Sequence, residues 1–186
     1  WDSWAQWAPK AKILARAEAD LTQVSFFVPG SADYPLLWPS VWAFSGWLSG
    51  GWEEQWSKGW SVIFLALTVW QLCALSIRFR PFHDTARLWW PALFVTMPAI
   101  PLLASWAYAE SALWLMLVCA SGRLFVWQRT RLVRDLMLAG LFTGLATATK
   151  NEGFAFSLLA GCWVLFTGKH VKQTCIFMLP ALMMFG

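Results

Sequence analysis

Trp60-Ser61-Val62-Ile63-Phe64-Leu65-Ala66-Leu67-Thr68-Val69-Trp70-Gln71-Leu72-Cys73-Ala74-Leu75-Ser76-Ile77, followed at once by Arg78 and Arg80, decides the fold class. An uncharged apolar stretch of this length reads as a membrane-crossing helix, and the arginines behind it mark where the hydrocarbon ends. Working outward, further apolar runs lie at about 88–106, 111–127, 136–149, 153–168 and 171–186. Several fall short of the ~20 residues a perpendicular span wants, so short helices or local thinning of the bilayer are expected. Pro98 and Pro101 are expected to bend the run at 88–106, which a membrane helix tolerates when neighbours satisfy the freed carbonyls.

Composition agrees. The chain is 59% hydrophobic and 13% charged, with a mean hydropathy of +0.52, far from the balance of a water-soluble domain. Sixteen tryptophans stand in 186 residues, and nine fall within the first 60. Tryptophan favours the membrane–water boundary, so the early region reads as interfacial and the later one as spanning. The net charge of +4 comes from arginines in short clusters beside apolar runs, a topology signal that excludes nucleic-acid binding. Cys73, Cys119, Cys162 and Cys175 stand singly in apolar runs and are expected to be small buried hydrophobes.

The loops fix an orientation. Arg78, Arg80 and Arg87 follow the first run, Arg123, Arg129, Arg131 and Arg134 the third, and Lys169 and Lys172 the fifth. Two spans separate each cluster from the next, so all three share one side, and the positive-inside rule makes it cytoplasmic. The opposite loops hold Glu110 and Lys150-Asn151-Glu152. His83 and His170 sit beside cytoplasmic arginines and read as loop residues rather than ligands.

Residues 1–58 are expected outside, as an external loop with juxtamembrane helices, and 59–186 as a bundle of about six spans. Residues 35–50 are apolar but carry two prolines and spread tryptophans, which suits a segment lying in the interface better than a span. On a helical wheel Trp1, Trp4, Trp7, Ala8, Ala11, Leu14 and Ala15 are read as one face, with Asp2, Gln6, Lys10, Lys12 and Arg16 pointing away. That pattern fits a helix in the membrane plane or one packed on protein; Pro9 should kink or restart it. The chain opens on Trp1 and closes inside an apolar run, so it is read as a piece of a longer membrane protein.

No nucleotide-binding glycine pattern, Ser/His/Asp arrangement or metal-ligand histidine pair is present. The external ionisable residues carry the chemistry instead: Asp2, Lys10, Lys12, Asp33, Glu53, Glu54, Glu110, Lys150 and Glu152. Glu53 and Glu54 read as solvated. Asp2 and Glu110 stand out as carboxylates in oily surroundings with no evident local ion-pair partner, and such groups at a membrane are functional-site candidates.

Four ordered stretches resemble the polytopic glycosyltransferases of the GT-C fold, in the group of the protein mannosyltransferases and the aminoarabinose lipid A transferase. They are Trp1-Asp2-Ser3-Trp4-Ala5-Gln6-Trp7-Ala8-Pro9-Lys10-Ala11-Lys12, Asp33-Tyr34-Pro35-Leu36-Leu37, Tyr108-Ala109-Glu110, and Ala146-Thr147-Ala148-Thr149-Lys150-Asn151-Glu152-Gly153. The resemblance implies an all-α, multi-pass membrane protein whose first transmembrane helix lies before Trp1. It places the active site on the non-cytoplasmic face, in a bacterial inner membrane. It also implies sugar transfer, hexosyl or pentosyl, from a polyprenyl-phosphate-linked donor to an acceptor.

The same resemblance gives the residues their roles. Asp2 is the catalytic base, while Glu110, with Lys150 and Glu152, meets the donor phosphate or a divalent metal. Lys10 and Lys12 are further phosphate contacts, and Asp33, Tyr34 and Tyr108 are loop residues of the site. The chemistry asks for such groups: a phosphate leaving group needs a cation, and the acceptor needs a carboxylate within hydrogen-bond reach. By analogy with inverting glycosidases, Asp2 and Glu110 should stand about 6–12 Å apart. A transporter or flippase would place ionisable groups at mid-span, where these runs have almost none, and a non-catalytic assembly subunit needs no external acidic pair.

Overall fold

The computed structural model describes residues 7–16, 35–52, 54–79, 88–106, 108–168 and 171–183. Every element among them is a helix. They run α1 (Ala8–Ala15), α2 (Leu37–Leu48), α3 (Glu54–Phe79), α4 (Trp89–Thr96), α5 (Ala99–Ser105), α6 (Glu110–Thr130), α7 (Val133–Thr149), α8 (Asn151–Gly168) and α9 (Val171–Met183). Two described helical stretches are long and apolar enough to cross a membrane, Lys58–Arg78 within α3 and Glu110–Thr130 as α6. Large apolar side chains on α3, among them Val62, Ile63, Leu67, Trp70 and Ile77, are exposed. So are Leu158, Leu159 and Phe166 on α8. Apolar belts of this kind are costly in water and suit a lipid surround.

α7 is the hub, packing against α6, α8 and α9 and touching α2. Its inner positions are small: Ala139, Gly140, Thr143, Gly144, Ala146 and Thr147 are all buried. A Cβ added at Gly140 would lie 2.2 Å from the Phe177 carbonyl oxygen, and one at Gly144 would lie 2.9 Å from that of Pro180. Glycines four apart thus let α9 come to backbone contact, the mode of close packing that membrane helices favour. The hydroxyls of Thr143, Thr147 and Thr149 donate to the carbonyls of Ala139, Thr143 and Leu145 respectively, each four residues back within α7, which satisfies them without water.

Two cores mark the two ends of the bundle. One gathers Trp7 and Ala11 of α1, Trp38 and Trp42 of α2, and Ala109 and Ala112 beside the start of α6. The other gathers Leu124, Trp127, Leu136, Ala139, Ala160, Val164 and Phe177 from α6 to α9. At this second end the Arg131 guanidinium donates to the Thr167 carbonyl at 3.2 Å and lies 4.9 Å from the Trp127 ring centroid. The 130–132 turn and the end of α8 therefore meet.

Several expectations change. The run at 88–106 is two short helices rather than one bent span: Met97 is extended, as the residue before a proline prefers, and α5 starts beyond Pro98. The α6–α7 turn is confined to Arg131 and Leu132, so α7 begins at Val133, earlier than its apolar run. Pro9 lies in the first turn of α1, where its missing N–H costs nothing, and Trp7 just before it is already π-helical. Trp7, Trp38 and Trp42 are core residues, and α1 is packed on protein. The segment at 35–50 forms a 12-residue helix, about 18 Å long and too short to span. Cys162 and Cys175 are exposed and Cys73 and Cys119 only partly covered, because the apolar faces that carry them point outward.

Candidate functional site

The site grows from two helix ends. α6 starts at Ala109, which is fully buried in the tryptophan-rich core, so Glu110 is fixed in the first helical turn. A carboxylate in that turn lies at the positive end of the helix dipole, a favourable place for an acidic side chain. Forty residues later α7 ends at Thr149. Lys150 takes an extended backbone (φ −159°, ψ 152°) while its N–H still donates to the Ala146 carbonyl at 3.1 Å. α8 begins at the next residue, and the Gly153 N–H donates back to the Lys150 carbonyl at 2.9 Å. Only glycine fits at 153, since a Cβ there would stand 2.1 Å from the Ala146 carbonyl oxygen. The break between the two helices is therefore tight, and it aims the Lys150 side chain.

Lys150 Nζ donates to Glu110 Oε1 at 2.7 Å and lies 3.2 Å from Glu152 Oε1. The first distance is that of a strong charge-assisted bond. Side-chain exposure is 17% for Lys150, 22% for Glu110 and 62% for Glu152, so the cluster is open on one side. Burial by itself lowers the Lys150 pKa, but the hydrogen bond and charge of Glu110, then those of Glu152, outweigh it and raise the pKa above its ordinary value. The cluster holds two carboxylates for one ammonium and so keeps an excess negative charge.

Glu110 has no ion-pair partner nearby in sequence; its partner is Lys150, forty residues away in the chain and adjacent in the fold. The loops at 108–110 and 150–152 share one end of the bundle, where the core of α1 and α2 also sits. Lys10 was placed on the outward face of α1 and is instead 1% exposed, on the inner side with Trp7 and Ala11. Residues 7, 10, 11 and 14 share one helix face at 3.6 residues per turn, so the wheel favours the buried side once side-chain chemistry is set aside. Lys12 and Arg16 are exposed. Tyr108 is half-buried, with its ring edge-on to Trp106 at 5.9 Å. Asp2, Asp33, Tyr34 and Glu53 lie outside the described residues, as do the side chain of Glu54 and both histidines.

A divalent metal fits poorly on what is described. Among the described residues no group of three or more His, Cys, Asp or Glu is placed to ligate one. The point between Glu110 and Glu152 is also taken by the ammonium. One ionisable residue escaped notice in the sequence. Asp135, in the first turn of α7, is 1% exposed and accepts from Arg123 at 3.2 Å and from the Thr130 hydroxyl at 3.3 Å. It was hidden among four arginines read as topology signals; its place at the start of an apolar helix was the available clue.

Compared with known proteins, the chain matches no family model, no curated protein and no solved structure.

Proposed function

We propose that this chain is part of a membrane glycosyltransferase that moves a sugar from a polyprenyl-phosphate donor to an acceptor at the external membrane face. The observation that carries the proposal is the Lys150 ammonium, held at a bundle end by Glu110 and Glu152 and still reachable from outside. A lysine has three N–H donors. Two carboxylates occupy two directions, which leaves one for a phosphate oxygen. Partial burial strengthens that contact over its value in water.

In the proposed reaction the acceptor's oxygen or nitrogen attacks the anomeric carbon from the face opposite the phosphate. Asp2 takes the acceptor's proton, the bond from the anomeric carbon to the phosphate oxygen breaks, and polyprenyl phosphate leaves with the electron pair. Lys150 neutralises the charge that grows on that oxygen, while Glu110 holds Lys150 in place. Asp2 precedes Trp7 by five residues, and Trp7 packs in the same core as Ala109 and Ala112.

The test uses the full-length protein in membranes with a panel of sugar-labelled polyprenyl-phosphate donors. Label should leave the lipid, and Asp2→Asn should lower turnover ~10²–10⁴-fold while folding is kept. Glu53→Gln is the control and should be nearly silent. Equal losses in both variants, or none in Asp2→Asn, refute the assignment.

A further inference from the structure

A second feature at this end of the molecule is independent of sugar transfer. Between the C-terminal half of α1 and the turn that closes α2 lies a cavity of about 430 Å³, lined by Lys12, Arg16, Gly46, Trp47, Gly50 and Trp52 among others. Gly46 makes the approach: a Cβ built there would already touch Ala15 of α1 and Trp52 at 3.6 Å, so the two helices meet closely. Lys12 and Arg16 are four residues apart on α1 and so project from one face onto the cavity. Both are exposed, and neither forms an ion pair among the described residues. No carboxylate lines the cavity among those residues. Two cations at this spacing repel each other, so an anion placed between them is favourable.

What surrounds the pocket specifies the anion. Trp47 is exposed at its mouth, and Phe44 and Leu48 are exposed on neighbouring turns of α2. Across α2 lies a second, largely apolar cavity of about 310 Å³, lined by Leu48, Ser49, Trp56, Trp60 and Ile63 among others. A basic pocket with tryptophan at its rim, beside an apolar groove, is matched to an amphiphile with a negatively charged head. Free phosphate would use the cations and leave the apolar neighbours unused.

We propose that Lys12 and Arg16 bind the phosphate headgroup of an anionic membrane lipid in the pocket between α1 and the end of α2, with the lipid chain lying along the apolar face of α2. The pocket shares no residue with Glu110, Lys150 and Glu152, and it gives Lys12 a headgroup to hold in place of the donor-phosphate contact that the resemblance implies. Lys10, being buried, takes no part.

The test is native mass spectrometry of the full-length protein in detergent, titrated with phosphatidylglycerol and with phosphatidylcholine of the same chains. Phosphatidylglycerol should be retained at least about tenfold better, and Lys12→Gln/Arg16→Gln should reduce that preference at least about fivefold. Arg78→Gln, at the far end of α3, should leave it unchanged. Equal retention of the two lipids, or an unchanged preference in the double variant, overturns the proposal. Inorganic phosphate binding as tightly as phosphatidylglycerol would make the site one for free phosphate and overturn the lipid assignment. A photoactivatable phosphatidylglycerol on the wild-type protein needs no variant to fold. Crosslinks within residues 12–16 and 46–52 support the site, and crosslinks only elsewhere overturn it.

Discussion

The two ends of the bundle each carry an ion pair, and the pairs are built differently. At one end Lys150 meets Glu110 with both side chains about one-fifth exposed, and a second, solvent-facing carboxylate stands alongside. At the other, Arg123 meets Asp135, whose side chain is 2% exposed and also accepts from the Thr130 hydroxyl. A buried carboxylate that loses its cation is left charged in a low-dielectric site, so the second pair is needed by the fold. An open pair with a surplus carboxylate contributes little to stability and can exchange partners. The difference separates a structural clasp from the open pair that we propose meets a phosphate.

The comparison assumes that the ends lie on opposite membrane faces, and this gives an all-or-none outcome. In a background lacking Cys73, Cys119, Cys162 and Cys175, Asn151→Cys should react with an impermeant thiol reagent from outside and Leu132→Cys should not. Both positions are exposed, so access is decided by the membrane. Labelling of the two from the same side would collapse the distinction. By the same logic Ser3→Cys should label from outside and Thr85→Cys should not.

Activity should divide the pairs next. Lys150→Met should lower transfer ~10²–10³-fold, the usual consequence of removing a cation aimed at developing charge. Its thermal midpoint should move by no more than a few degrees. If Lys150→Met unfolds the protein, or transfers sugar normally, the open pair is not a ligand site.

Arg123→Gln should do the reverse. With Asp135 left unpaired and buried, unfolding free energy should fall by about 2–4 kcal/mol; the half-open guanidinium keeps the figure below that of a wholly buried pair. Denaturant titration in detergent, followed by far-UV circular dichroism, reads this directly. Arg123→Leu with Asp135→Leu should recover most of the loss. A silent Arg123→Gln would mean that Thr130 and water suffice for the carboxylate.

The sequence showed which parts are helical because long apolar runs are a local signal: those after residue 60 reappear as α3 to α9. It missed what depends on contact between distant segments. The Met97-Pro98 break was legible as a bend but not as two helices, since its extent depends on packing around α5. Glu110 and Lys150 were each singled out, yet their bond joins residues forty apart, and no local pattern encodes it. Lys10 was misplaced because charge was taken as a sign of exposure, whereas its angular position on α1 sides with Trp7 and Ala11. Asp135 was lost for a related reason: a lone acid among arginines looks solvated until a buried helix start encloses it.

The smallest effect reports the open pair directly, in the folded protein and without any substrate. Lys150 has its pKa raised in the fold: burial opposes the charge, and Glu110, then Glu152, more than restore it. A cation whose pKa is higher folded than unfolded adds stability that is fully present below the unfolded value, near 10.4, and is lost as pH climbs through the folded value. Stability should therefore fall on the alkaline side, above about pH 10.4, by no more than about 1 kcal/mol, since the pair is partly solvated. In Glu110→Gln the alkaline decline attributable to Lys150 should shrink, because the cation loses its main partner and its folded pKa drops toward the unfolded one, and in Lys150→Met that component should vanish. A double-mutant cycle on the two residues at neutral pH should give a coupling of about 0.5–1 kcal/mol, weakened by salt. A coupling of about 3 kcal/mol or more, insensitive to salt, would make this end a clasp like the other and leave no cation to offer a phosphate.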